Sequence, residues 1–78
     1  MGEKLNAALG RRLVEIRRAK GFTQEQLAYA SGIDRSYMGK IERGQVNLTL
    51  KKLYIIAHCL GCHPCELLPE IDQPGTDR

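Results

Sequence analysis

The sequence predicts an all-α fold of five short helices in one compact domain, and three features of its 78 residues carry that prediction. One Phe, three Tyr and no Trp stand among 42% hydrophobic residues, so the core must come from Leu, Ile, Val, Met and Ala. Those residues recur at separations of three and four, which aligns them on one face of a helix. Glycines fall at the ends of the periodic segments, where helices stop. A chain of this length supports one modest core, so residues 1–69 read as a single domain.

Leu9, Leu13 and Ile16 stand four and three apart and form the apolar stripe of a first helix over residues 6–20, which Gly21 stops. Thr23-Gln24-Glu25-Gln26 has the pattern of a capping box: the Thr hydroxyl takes the third backbone N–H and the Gln side chain reaches back. A second helix follows over residues 24–31, with Leu27 and Ala28 inward. Gly32 tolerates the positive φ of a sharp turn, Ile33 re-enters the core, and Asp34 caps a third helix over residues 35–43. Met38 and Ile41 face inward; Arg35, Ser36, Gly39, Lys40 and Arg43 share the opposite face. Gly39 inside a helix costs roughly 1 kcal/mol against Ala, which marks a place where something approaches the backbone closely.

Residues 45–48 read as a loop, and Thr49 caps a fourth helix over residues 50–60 that ends at Gly61. Leu50, Leu53, Ala57 and Leu60 form its core stripe. Tyr54, Ile55 and Ile56 spread apolar surface beyond one face, more than a single core requires. Pro64 opens a last helix over residues 64–68, with His63 before it and Pro69 after it. Residues 70–78 are polar, acidic and Gly/Pro-containing, and read as a mobile tail.

The net charge of +3 is unevenly placed: residues 1–20 carry +4, residues 21–60 carry +2 and residues 61–78 carry −3. A basic body suits a polyanion such as nucleic acid on one face. No apolar run approaches the roughly 18 residues that span a bilayer, and the N-terminus lacks the hydrophobic segment of a signal peptide, so the expected location is the cytoplasm. His58, Cys59, Cys62, His63 and Cys65 supply ligand types that zinc prefers. Cys59 lies on the fourth helix, however, and Cys62 lies just past its glycine stop; unpaired Cys buries well as a small hydrophobe, which favours packing and no metal or other cofactor. Catalytic patterns are missing too: no Gly-rich phosphate loop, paired carboxylate motif or nucleophile–base constellation appears, and Ser31 and Ser36 sit at turn and helix positions. Neither an enzyme nor a small-molecule ligand is indicated.

The stretch TQEQLAYASGIDRSYMGKIERG, Thr23 to Gly44, resembles the helix-turn-helix of the family that includes the lambda and 434 repressors and Cro. R-x-x-x-G-x-T-Q from Arg17 to Gln24 and L-x-x-I-A-x-x-L-G from Leu53 to Gly61 extend the resemblance to residues 9–68. IDRSYMGKIERG followed by N-L-T is similar, within that family, to controller proteins of restriction–modification systems. Val46 departs from them, since such proteins often carry a basic residue there.

The resemblance implies a lambda-repressor-like domain that binds double-stranded DNA as a homodimer, on a two-fold operator with half-sites about 34–36 Å apart, and regulates transcription on the nucleoid. It points Arg35, Ser36 and Lys40 of a recognition helix over residues 34–44 at base edges, Arg35 by a fork that matches guanine O6 and N7. Thr23 and Gln24 would meet a phosphate at the start of the second helix. Tyr37, Arg43 and Asn47 become backbone contacts, and Arg17 pairs with Glu42. The apolar surplus at Tyr54, Ile55 and Cys59, with residues 62–68, becomes the dimer surface. Two alternatives stay open: a metal- or thiol-responsive regulator using Cys59, Cys62 and Cys65, and an antitoxin-like interaction module. The latter needs an apolar or acidic outer face on the third helix, and that face is basic.

Overall fold

The computed structural model describes residues 2–70, with side chains from residue 4. Beyond Glu70, the expected acidic tail lies outside the described residues. The helices are α1 (Gly2–Ala19), α2 (Gln24–Ser31), α3 (Arg35–Glu42), α4 (Leu50–Leu60) and α5 (Pro64–Leu67), and no strand occurs among the described residues. α1 packs on α3 and α5, while α4 lies between α2 and α5.

Local chemistry sets most of the boundaries. Thr23 Oγ1 accepts from the Gln26 N–H at 3.0 Å and Gln26 Oε1 accepts from the Thr23 N–H at 2.8 Å, closing the capping box of α2. Asp34 Oδ2 accepts from the N–H groups of Ser36 and Tyr37 at 2.9 and 3.3 Å, and Thr49 Oγ1 accepts from that of Lys52 at 3.1 Å. Gly32 turns the chain between α2 and α3 at φ +69°, a region open to glycine without steric penalty. α1 starts four residues before the expected residue 6, because its first turns rest on the end of α3. α3 and α5 each stop one residue earlier than the spacing suggested.

Leu13, Leu27, Met38, Ile41, Ile56 and Leu67 are fully buried, and Ile16, Ala28, Ile33, Leu53, Ala57 and Leu60 complete the core around them. Two expectations about α4 are corrected here. Leu50, assigned to its core stripe, is 69% exposed, whereas Ile56, counted as surplus, is completely buried. The cause is coverage from two sides: α2 and α5 both pack on α4, which widens the buried arc to take in Ile56, while Leu50 projects from the first turn.

The α1–α3 contact is backbone against backbone. A Cβ added to the buried Gly10 would collide with the Glu42 carbonyl oxygen and lie 2.7 Å from that of Ile41. Gly44, at φ +74°, would place a Cβ 2.6 Å from the Cα of Ala7. Glycine at both points lets α1 close on the C-terminal end of α3.

Candidate nucleic-acid interface

α3 divides its residues by phase. Met38 and Ile41 anchor one side in the core, while Arg35, Ser36, Lys40 and Arg43 are exposed on the other. Gly39 lies on that outer face as expected, but it is buried there beneath the Arg43 side chain. A Cβ there would lie 3.1 Å from Nη1 of Arg43, so the group that approaches its backbone closely is the side chain of the residue that caps α3. Arg43 also donates from Nε to Oε1 of Gln45 at 3.4 Å.

Two open grooves flank the outer face. One, of about 380 Å³, is lined by Gln24, Arg35, Ser36, Gly39, Lys40 and Arg43. The other, of about 530 Å³, is lined by Gly32, Ile33, Asp34, Ser36, Tyr37, Lys40 and Lys52. Ser36 and Lys40 belong to both and form the ridge between them. Tyr37 is half-buried on the second flank, and the Lys52 ammonium stands 5.6 Å from its ring centroid.

A buried ion pair holds the other end of this unit. Arg17 donates from Nε to Glu42 Oε2 at 2.6 Å and from Nη2 to Oε1 at 3.2 Å, and its Nη1 reaches the Phe22 carbonyl at 2.8 Å. The two side chains are 9% and 6% exposed. Gln24 adds a bond from Nε2 to Glu42 Oε1 at 2.9 Å, which fastens the start of α2 to the end of α3. Among the described residues no buried side-chain polar atom lacks a partner, the condition under which a dry ion pair is tolerated. One of the two amide hydrogens of Gln24 is thus given to Glu42 while its side chain also lines the outer groove, and the Thr23 hydroxyl accepts in the cap. Asn47 is exposed, with Oδ1 accepting from Asn6 Nδ2 at 2.8 Å.

The expected dimer residues divide. Tyr54 is 57% exposed, Ile55 is half-buried, and Cys59 packs on the core with Sγ donating to the Ala30 carbonyl at 3.4 Å. Adjacent helical residues point about 100° apart, so Tyr54 turns towards the Leu50 side of α4 and Ile55 towards the Cys59 side. Beside Leu50 runs an apolar groove lined by Leu5, Leu9, Leu48, Leu53, Leu68 and Pro69, among others. Sequence spacing could not foretell it, because four separate segments meet there. Cys62 also packs on the core while Cys65 is exposed. Burial, and then the Glu66 carboxylate, push the Cys62 thiol upward. Among the described residues no three His, Cys, Asp or Glu gather as a metal site, and no helix is long and apolar enough to cross a membrane.

Lys52 and Asn6 escaped sequence reading because neither lies in a motif; only folding brings them beside Tyr37 and Asn47. The helix-turn-helix family profile matches residues 13–67. The crystal structure of the restriction-modification controller protein C.AhdI from Aeromonas hydrophila superposes with a TM-score of 0.77 and 48% identity, covering 80% of this chain and 94% of that one. Control protein C.BamHI of Bacillus amyloliquefaciens is 33% identical over 69 residues, 87% of this chain and 85% of its own length. An uncharacterised HTH-type transcriptional regulator of Sinorhizobium fredii, y4dJ, is 37% identical over 65 residues, 83% of this chain and 84% of its own.

Proposed function

This chain belongs to the helix-turn-helix family of DNA-binding transcriptional regulators, and from that premise we propose that it acts as a homodimer on a two-fold duplex operator. Its role is that of a restriction–modification controller or a related phage- or plasmid-type repressor, working in the cytoplasm on the nucleoid. Residues 1–69 form the binding domain, and no catalysis or cofactor is assigned to it.

The observation that carries this reading is the joint exposure of Arg35, Ser36 and Lys40 on α3, with Arg43 at its C-cap, opposite the anchored Met38 and Ile41. α3 lies in the major groove with Arg35, Ser36 and Lys40 at base edges, and Arg35 takes a guanine by its two-pronged donor set. Arg43, Tyr37 and Asn47 hold phosphates. At α2 the phosphate meets the backbone N–H groups of its first turn beside Thr23, together with the Gln24 amide, whose NH2 carries a second hydrogen besides the one given to Glu42. One such module covers too few base pairs for selectivity, so two copies associate; the exposed Tyr54, with Ile55 and Cys59 on the same helix, forms the shared surface.

The test is a salt titration of two variants on an operator selected from random DNA and on a scrambled duplex. Arg35→Ala loses roughly 1–3 kcal/mol on the operator and relaxes selectivity at one base pair per half-site, with much less change on scrambled DNA. Arg43→Ala weakens both duplexes by similar factors and lowers the slope of log K against log salt by about one per monomer. Equal loss from Arg35→Ala on both duplexes, or none on either, would displace the recognition face from α3.

A further inference from the structure

We propose that Lys52, on α4, is a further DNA-contacting residue of this protein: it grips the phosphate wall on the Tyr37 flank of α3, held there by the Tyr37 ring. The proposal rests on the reading that α3 occupies the major groove. A helix with its side chains is about 10–12 Å across and the groove is about 12 Å wide, so both sugar–phosphate walls lie against the sides of α3. The α2 flank meets one wall with the start of α2 and with Arg43. The opposite flank is the groove in which Tyr37 and Lys52 stand beside the ridge residues Ser36 and Lys40.

Four observations single out Lys52 there. Its ammonium lies 5.6 Å from the Tyr37 ring centroid, so the ring face keeps the charge within that groove. It forms no ion pair among the described residues. Asp34, the acid that lines the same groove, is occupied in capping α3.

The fourth observation is a local rule that Lys52 breaks. Its N–H bonds the Thr49 cap, so it holds the third position of α4. A capping box places Glu or Gln at that position, as Gln26 does in α2; Glu66 likewise accepts from the His63 N–H in α5. Lys returns no bond to the cap and sets a cation at the positive end of the helix dipole. Helix stability therefore argues against a lysine here, whereas a polyanion beyond the Tyr37 flank argues for one.

Four variants test this in the full chain, by salt titration on operator and scrambled duplexes and by thermal melting. Lys52→Met weakens both duplexes alike, by about eightfold per monomer near 0.1 M salt, and lowers the salt slope by about 0.9 per monomer, as loss of one phosphate contact requires. Lys52→Arg keeps the slope. Lys52→Glu completes the capping box, so it melts higher than the wild type while binding DNA more weakly, a pair of opposite shifts that no folding defect produces. Tyr37→Leu removes the ring and makes Lys52→Met less damaging in that background than in the wild type. If Lys52→Met leaves slope and affinity unchanged while Arg35→Ala and Arg43→Ala behave as proposed, Lys52 is an ordinary surface lysine. If all three are silent, the major-groove reading falls and takes this proposal with it.

Discussion

On the side of α3 that faces α1, a carboxylate and a guanidinium are packed away from water: Glu42 accepts from Arg17 and Gln24, and the ion pair is less than one-tenth exposed. On the opposite side Arg35, Lys40 and Arg43 are exposed and form no ion pair among the described residues. Both sides carry arginine; the surroundings differ. A dried charge must find a complete set of partners within the protein, and once it has them it fixes how two helices meet. A hydrated charge contributes little to folding and keeps its donors available to another molecule.

Breaking the dry side has the largest expected effect. Glu42→Ala removes the acceptor of three hydrogen bonds and strands Arg17, for a loss of roughly 3 kcal/mol of unfolding free energy. Urea denaturation measures it, and an unchanged midpoint would mean that the pair is no clamp. Gly10→Ala acts on the same joint without touching charge. The added carbon meets carbonyl oxygens that cannot rotate away, so α1 must lift from α3 at a loss of about 1–3 kcal/mol. A melting curve overlying the wild type would show the joint to be looser than its geometry. The smallest effect sharpens the contrast from the wet side: Arg35→Ala and Arg43→Ala should unfold within about 0.5 kcal/mol of the wild type. A shift beyond 1 kcal/mol would mean that the outer face also supports the fold.

Elements whose limits depend on neighbouring residues were legible in the sequence. α2 and α4 span the residues expected from Thr23, Thr49 and the glycines after each helix. α1 was read four residues short because its first turns are held by a distant contact, Ala7 on Gly44. The exchange of Leu50 for Ile56 has the same origin: the phase of α4 depends on which two helices cover it, and spacing within one helix does not say. In the candidate site, the outward phase of α3 could be read from Met38 and Ile41, three apart. What Gln24 bonds, what lies over Gly39 and where Lys52 points depend on how helix ends converge, which is a property of the whole packing.

The eight residues of α3 also bear on how such a protein can diversify. Positions 35, 36 and 40 face solvent, and no residue of the core is drawn from them. Substitutions there leave Met38, Ile41 and the Arg17–Glu42 joint as they are. Three positions can therefore drift through many chemistries in chains that still fold; under the base-reading role proposed for them, lineages sharing this scaffold can part company in what they recognise long before they part in architecture.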